Sequence, residues 1–476
     1  MLIDSRAWVL PSLLAAFCFY LFVSPVLSEE ESADADAPEA GLFEQLKVYT
    51  DVLAIVQRDY VKEVSNRSLV EGSIKGLLTT LDPHSGYLDP DFYKDFQVQT
   101  HGEFGGLGIE IAIKDGLLVI MSPIEGSPAE KAGLQPGDTI VKIEGKFTRE
   151  YSLVDAVKKL RGPKGSVVTI SIFRKGRKDI FDVNLVRDNI VVKSVRARHL
   201  GDGFGLVRIN QFVEKTADDV RNALDALAKA GSDGQIHGLV LDMRNNPGGL
   251  LNQAVKISDF FLKNGVIVYT DGRVESQKQK FYAHERGTEP EYPMVVLVNG
   301  GSASAAEIVA GAMKDHGRAV ILGTQTFGKG SVQTITPLAN GGAITLTTAL
   351  YYTKSGRSIQ GTGITPDIDL PVVEEAPTPA PARNKNDDSQ QIRESDLQGA
   401  LENPETPAAG NSMQQLNKTP TVDKDLVLMN IETAPVSDLL KHDVQLQRAL
   451  DLLKTYNIFS VPKPEAAAVP QDGQAS

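Results

Sequence analysis

The chain has few of the residue types from which thiol, metal and histidine sites are built. Its only cysteine, Cys18, lies inside an apolar run near the N-terminus. Without that run the chain carries no disulfide, no thiol nucleophile and no cysteine-ligated zinc. None of the seven histidines falls in a motif, so we interpret them as structural or solvent-facing. We therefore expect no metal and no cofactor.

Basic segments are also lacking. The formal net charge is −12 and no Lys/Arg-rich run occurs, which argues against nucleic acid as a ligand. An apolar content of 41% is ordinary for a globular protein, and a length of 476 residues indicates two or three domains.

The first 28 residues have the pattern of a signal peptide. Arg6 precedes an apolar stretch at residues 7–23, and small residues follow up to Ser28. An uncleaved anchor is the alternative, although the stretch is short for a span and contains Pro11. We expect an exported, periplasmic bacterial protein, associated with the inner membrane if the signal is not cleaved.

Periodicity and composition divide the remaining chain into segments. Amphipathic helices are predicted at residues 42–60 and 68–81, and a further helix at 443–456. The predicted segments are a disordered spacer (29–41), a helical region (42–97), a small αβ module (98–188), an α/β core (189–371), a disordered linker rich in proline (372–425), a helical region (426–462) and a disordered tail (463–476).

Two blocks of the α/β core suggest nucleophilic chemistry. Asn299-Gly-Gly-Ser-Ala-Ser-Ala-Ala-Glu307 places serines in a tight turn before a helix, and Phe327-Gly-Lys-Gly330 places a lysine among apolar and glycine residues. A lysine in a dry pocket can deprotonate a serine. Ser304 also has capping-box spacing to Glu307, so helix capping is the competing interpretation. Asp315, at the end of that helix, either positions the site or is solvated.

The motifs together resemble the carboxyl-terminal processing peptidase family of Ser/Lys serine proteases. The resemblance rests on these two blocks and on Gly105-Gly-Leu-Gly-Ile109, Leu241-Asp-Met-Arg-Asn-Asn-Pro-Gly-Gly249 and Gly361-Thr-Gly-Ile-Thr-Pro-Asp367. It implies a multidomain α/β fold: a crotonase/ClpP-like peptidase core with an inserted PDZ domain and flanking N- and C-terminal helices.

The resemblance also implies roles for single residues. Ser304, favoured over Ser302, would be the nucleophile, Lys329 its general base, and Gln333 would orient the lysine amine. Ala305, with Gly248 or Gly249, would form the oxyanion hole. A plain βα turn is the alternative interpretation of the two glycines.

The PDZ-like module is expected to bind peptide termini. Its glycine loop would hold a carboxylate, and an apolar groove would take an apolar C-terminal residue. The expected groove residues are Gly106, Leu107, Gly108, Ile109, Val154 and Val157. The alternative is a module that serves only for docking or dimerisation.

Three functions are compared. The leading hypothesis is an exported serine endopeptidase that cleaves proteins with apolar C-termini. The alternatives are a non-catalytic PDZ-containing scaffold on a peptidase-like core and, more weakly, an acyl-CoA-type enzyme. The apolar faces of the terminal helices predict a homo-oligomer. The resemblance adds an adaptor or activator protein as a partner, and a PDZ domain hinged near residues 98 and 188 that gates the site.

Overall fold

The computed structural model describes residues 38–114, 116–124, 126–191, 193–371, 392–405 and 430–460. The predicted signal peptide, the predicted tail and most of the predicted linker lie outside these residues. The described residues up to Val70 and the described residues from Glu71 onward form two compact units. Within the described ranges no helix has the length and apolar character needed to cross a membrane.

The N-terminal region is helical, as predicted, and contains one helix more than expected. Its elements are α1 (Pro38–Asp59), α2 (Asn66–Thr79), β1 (Gly86–Leu88) and α3 (Pro90–His101). The first helix begins at Pro38, inside the predicted spacer. The third was not predicted, although Asp89 caps it through the N–H groups of Asp91 and Phe92, a recognisable helix start.

The small αβ module is a sheet with two helices against it. Its elements are β2 (Glu103–Gly106), β3 (Ile109–Lys114), β4 (Leu117–Pro123), α4 (Pro128–Lys131), β5 (Thr139–Ile143), β6 (Lys146–Phe147), α5 (Leu153–Leu160), β7 (Val167–Phe173), β8 (Phe181–Val186) and β9 (Asp188–Val191). The sheet order is β3-β4-β5-β7-β8. Strands β2 and β9 pair antiparallel, so the module joins the core through two adjacent strands.

The α/β core contains two sheets. Its elements are β10 (Val195–Gly201), β11 (Phe204–Ile209), α6 (Thr216–Ala230), β12 (Gly238–Asp242), α7 (Leu251–Phe261), β13 (Val266–Gly272), β14 (Gln279–Tyr282), β15 (Met294–Val298), α8 (Ala305–Asp315), β16 (Val320–Gly323), β17 (Ser331–Pro337), β18 (Ala343–Thr353) and β19 (Ile368–Asp369).

The main sheet of the core has the order β10-β11-β12-β15-β16-β19 and is parallel from β11 to β19. The strands β11, β12 and β15 are buried along their whole length, as expected for strands covered on both faces. The carboxyl ends of β12 and β15 lead into the glycine turn and the serine turn. A second, antiparallel sheet contains β17 and β18, and β1 pairs with β18.

The C-terminal helices α9 (Val436–His442) and α10 (Val444–Ser460) correct one expectation. They were predicted to lie outside both domains with apolar faces in need of partners. Instead Leu446, Ala449, Leu450 and Leu453 are buried in one cluster with side chains of the main sheet. A buried salt bridge supports the contact, because Arg244 binds both Asp242 and Asp443. This face of α10 therefore already has its partner within the chain.

The predicted linker also needs correction. Residues 392–405 were expected to be disordered because the surrounding sequence is polar and rich in proline. They instead form an ordered segment with a short 3-10 helix, Glu394–Asp396, and Glu394 is completely buried. The polar side chains of this segment find hydrogen-bond partners in the core, which composition alone does not reveal.

Candidate active site

Ser304 stands at the turn between β15 and α8 in a backbone conformation that disfavours a side chain. Its φ is 53° and its ψ −112°, and such strain is held at functional sites by surrounding contacts. Its N–H donates to Glu307 Oε2 at 2.8 Å, whereas its hydroxyl makes no capping hydrogen bond. Only the Glu307 side chain therefore takes part in helix capping, and the Ser304 hydroxyl remains available for chemistry.

Ser302 is fully buried and structural. Its hydroxyl donates to the carbonyl of Met243 at 2.8 Å and accepts the N–H of Asn299 at 3.0 Å. These two bonds fasten the serine turn to the end of β12. Of the two serines, only Ser304 has a free hydroxyl.

Glu307 joins the serine turn to the lysine loop. Its Oε2 accepts the N–H of Ser304 and, at 2.9 Å, the N–H of Lys329. Its Oε1 accepts the Thr326 hydroxyl at 2.5 Å and the Gly328 N–H at 2.7 Å. Burial raises the pKa of Glu307 to about 7, although all four hydrogen bonds favour the carboxylate. The sequence indicated this residue only as half of a capping box.

The Gly361–Asp367 motif supports this carboxylate from behind. Gly363 has a φ of 65°, and a Cβ at this position would lie 2.6 Å from Thr326 Oγ1 and 3.0 Å from Glu307 Oε1. Only glycine therefore leaves room for the Glu307 and Thr326 side chains.

Lys329 lies in the loop before β17 and is largely removed from solvent. Burial lowers its pKa from the ordinary lysine value, and the carboxylates of Glu394, Glu307 and Asp82 partly oppose the shift. This is the change a lysine needs to act as a base near neutral pH. Among the described contacts, no hydrogen bond joins Lys329 Nζ to Ser304 Oγ.

The glycine turn after β12 lies directly against the serine. A Cβ on Gly248 would lie 2.8 Å from Ser304 Cβ and 3.0 Å from Ala305 N. The N–H of Gly248 is occupied, because it donates to Asn246 Oδ1 at 2.9 Å. In the described chain the N–H groups of Gly249 and Ala305 have no acceptor. This distinction between the two glycines was not available from the sequence.

Gln333 lies on β17, near the lysine loop but turned from it. Its Nε2 donates to Thr347 Oγ1 at 2.9 Å and to Ser331 Oγ at 3.3 Å. The Thr347 hydroxyl in turn donates to Asp82 at 3.1 Å. In the part of the chain that the structure describes, Gln333 has no hydrogen bond to Lys329.

Asp82 and His84 belong to a turn that the sequence identified only as a helix stop. In the structure both residues lie beside the strands of the active site. Burial alone would raise the pKa of Asp82, but hydrogen bonds from Ser85, the His84 N–H and Thr347 hold it below the ordinary value. The His84 ring contacts Glu394 at 2.7 Å. No local pattern indicates these contacts, because they join segments far apart in the chain.

Asp315 takes no part in this site. Its carboxylate accepts the N–H of Ser355 at 2.8 Å and lies 4.0 Å from Arg357. It fastens the loop after β18 to the end of α8, and because its side chain is only 7% exposed, the solvated interpretation is wrong.

The predicted peptide groove lies between β3 and α5. Within the described residues, the N–H groups of Leu107 and Gly108 have no acceptor, as a carboxylate-binding loop requires. The Leu107 side chain is buried in the module's core, while Ile109 and Val157 are half-buried. Gly106 ends β2, and the side chain of Val154 lies outside the described residues. The groove therefore offers free N–H groups at one end.

Comparisons with known proteins give consistent matches. Residues 203–370 match peptidase family S41, residues 119–174 a PDZ domain, and residues 20–92 the activating protease CtpB N-terminal domain. The chain is 48% identical over 364 residues to a carboxy-terminal-processing protease of Bartonella bacilliformis, covering 76% of this chain and 82% of that protein.

A second relative is the carboxy-terminal processing protease CtpA of Bacillus subtilis, 36% identical over 369 residues, which are 76% of this chain and 75% of the relative. Among solved structures, the photosystem II D1 C-terminal processing protease is 30% identical, covers 69% of this chain and 86% of its own, and aligns with a TM-score of 0.44.

Proposed function

Because the chain belongs to the carboxy-terminal-processing proteases of peptidase family S41, we propose that Ser304 and Lys329 carry out its peptide-bond hydrolysis. The protein is a serine protease with an embedded PDZ domain, and this membership favours catalysis over a non-catalytic scaffold. One observation supports the two residues above others: a single buried oxygen, Glu307 Oε2, binds the backbone N–H of both.

The reaction follows from the chemistry of the groups. Neutral Lys329 removes the proton from Ser304 Oγ as the oxygen attacks the scissile carbonyl carbon. The resulting oxyanion is held by the N–H of Ala305 at the start of α8 and by the N–H of Gly249. Lys329 then gives its proton to the departing amine. A water molecule, deprotonated by Lys329, hydrolyses the acyl-enzyme and releases Ser304.

Gln333 belongs to the catalytic arrangement after a change of side-chain orientation. To orient the Lys329 amine, its amide exchanges the bond with Thr347 for one with Lys329 Nζ. This exchange breaks one hydrogen bond between neutral groups, which costs about 1 kcal/mol.

The test compares the wild-type protein with Ser304→Ala, Lys329→Ala and the control Lys256→Ala on an unfolded protein substrate. Ser304→Ala and Lys329→Ala should abolish cleavage with the fold intact, and Lys256→Ala on the exposed face of α7 should retain it. A serine-reactive probe should label Ser304. Full activity of Ser304→Ala would refute the assignment.

The PDZ module is proposed to recognise substrates by an apolar C-terminal residue. Its support is the pair of unoccupied N–H groups at Leu107 and Gly108 beside half-buried Ile109 and Val157. A fluorescent peptide ending in an apolar residue with a free carboxylate should bind, and the same peptide with an amidated terminus should not. Equal binding of both peptides would exclude this mode of recognition.

Gating by the PDZ module is part of the same proposal. Its helix α5 forms salt bridges to α3, from Lys158 to Asp91 and from Arg161 to Asp95. A movement of the module must therefore also move α3 or break these pairs. Peptide or adaptor binding would supply the free energy, and an increase in kcat on adding the bound peptide is the expected sign.

Export and assembly complete the proposal. N-terminal sequencing of the protein from the periplasm of its host should begin near Glu29 if the signal is cleaved. A homo-oligomer through the N-terminal helix α1 is supported by the exposed apolar side chains of that helix, including Leu42, Phe43 and Leu46.

A further inference from the structure

Residues 392–405 contact the lysine loop, although they lie far from it in the sequence. Glu394, in its 3-10 helix, donates its backbone N–H to the carbonyl of Phe327 at 3.2 Å. Phe327 comes two residues before Lys329. The segment therefore holds the lysine loop on its N-terminal side by a direct backbone hydrogen bond.

The other side of the loop is held through Gln360. This fully buried side chain accepts the N–H of Gly330 with Oε1 at 2.9 Å and donates from Nε2 to Glu394 Oε1 at 3.0 Å. Asn403, from the same segment, donates to the Gln360 carbonyl at 2.9 Å. Residues on both sides of Lys329 are thus bound, directly or through one side chain, to Glu394.

His84 provides the remaining contact of the Glu394 carboxylate. Its Nε2 lies 2.7 Å from Oε1 and 2.9 Å from Oε2. Burying a carboxylate is costly unless it is hydrogen-bonded or paired. A segment that served only to cover the core could use an apolar residue at this position. The free-energy cost of burying this carboxylate suggests that the charge of Glu394 has a function.

We propose that Glu394, in the segment 392–405, belongs to the active site as a positioning residue for Lys329. It holds the loop from Phe327 to Gly330, and it supplies negative charge that faces the lysine amine. This inference rests on the proposed role of Lys329 as the general base.

The charges around the amine determine what Glu394 does. The carboxylates of Glu394, Glu307 and Asp82 all act to raise the pKa of Lys329, and the His84 ring contacts Glu394 at 2.7 Å. Among the three, Glu394 contributes most to keeping the pKa of Lys329 from falling further. Its charge favours the ammonium form, in which Lys329 cannot accept the proton of Ser304. Burial lowers the pH above which the base becomes active, and the charge of Glu394 raises it again.

The experiment measures kcat/KM against pH for the full-length wild-type protein, Glu394→Gln, Glu394→Asp and Glu402→Gln. Glu402 is the matched control, because it lies in the same segment but is exposed. Removing the charge should shift the acidic limb of the Glu394→Gln profile to lower pH by about one unit, the usual effect of one nearby charge. Glu402→Gln should leave the acidic limb unchanged, and in Glu394→Asp the limb should stay close to its wild-type pH.

A second measurement does not require catalysis. Competitive acetylation of Lys329 with acetic anhydride, followed by mass spectrometry across a pH series, reports the titration of the amine in Ser304→Ala protein. Adding Glu394→Gln to Ser304→Ala should lower the midpoint by a similar amount. An unchanged midpoint in the folded protein would overturn the proposal.

The two measurements also separate this inference from the proposed function. A shifted acetylation midpoint without Lys329-dependent proteolysis would contradict the role of Lys329 as base but keep the electrostatic influence of Glu394 on its amine. If Glu394→Gln does not fold, Glu394→Asp replaces it, since a shorter carboxylate should move the midpoint in the same direction by a smaller amount. No movement in either variant would refute the role of Glu394.

Discussion

At the scale of single residues, Glu307 is the group on which the arrangement of the site most depends. It is the shared acceptor for the serine turn and the lysine loop. In Glu307→Gln one carboxylate oxygen becomes an NH2 group that faces N–H or O–H donors. Leaving such donors unpaired costs about 1–3 kcal/mol. We expect the free energy of unfolding to fall by that amount and kcat to fall with it, measured by urea titration and peptide cleavage.

The control for this variant is Glu275→Gln, at a side chain that is 90% exposed. It should leave both quantities unchanged. If Glu307→Gln had the same stability and kcat as the wild-type protein, the shared carboxylate would not be what holds the serine turn and the lysine loop together.

The raised pKa of Glu307 also predicts a pH dependence of stability. A carboxyl whose pKa rises from 4.5 to about 7 on folding binds its proton more tightly in the folded state. Its contribution is complete below pH 4.5 and is lost as the pH rises through about 7. Glu307→Gln should remove this part of the pH dependence. Urea titrations between pH 4.5 and 8 measure the free energy of unfolding of both proteins. The same pH dependence in the wild type and in Glu307→Gln would contradict the shifted pKa.

Residues close together in sequence were the ones whose place in the site could be predicted. The glycine and serine pattern around Ser304 and the block around Lys329 are local features of the chain, and the structure joins the two segments through Glu307. Glu394 and His84 are 310 residues apart, and no local pattern indicates that a polar segment will fold back onto the core. The role of Gln333 stays a prediction, and its hydrogen bond to Thr347 depends on the register of β17 and β18, which its motif does not reveal.

At the scale of elements, the sequence predicted the kind of element more reliably than its packing partner. The predicted α/β class with an embedded PDZ domain is confirmed. The helix now seen as α10 was recognised from its spacing of apolar residues, but the same spacing fits burial against a second subunit or against the chain's own sheet. Only the fold shows that Leu450 packs in the cluster that contains Leu206 and Val240.

This packing makes a prediction for α10. Leu450 is 3% exposed, so Leu450→Ala should leave a cavity and lower the free energy of unfolding by about 2–4 kcal/mol. Val444→Ala on the same helix, where the side chain is 61% exposed, should change it by less than about 0.5 kcal/mol. Denaturant unfolding of the full-length proteins gives both values. Equal small effects would show that α10 is not part of the core.

At the scale of the whole molecule, the exposed apolar side chains of α1 are the feature that a single chain does not explain. Leu42, Leu46, Tyr49 and Val52 recur at helical spacing on one side of the helix, and all are exposed. A second copy of the chain would cover them. Deleting α10 cannot test assembly cleanly, because the deletion would also uncover the main sheet.

Substitutions on α1 avoid that problem. Leu46→Glu places a charge on the apolar side of the helix, and its burial in an interface would be strongly unfavourable. We expect gel filtration with light scattering to give a multiple of 51.4 kDa for the full chain and a lower mass for Leu46→Glu. Gln45→Glu adds one negative charge at a neighbouring exposed position and should leave the mass unchanged. A wild-type monomer, or an unchanged mass for Leu46→Glu, would show that α1 does not join subunits.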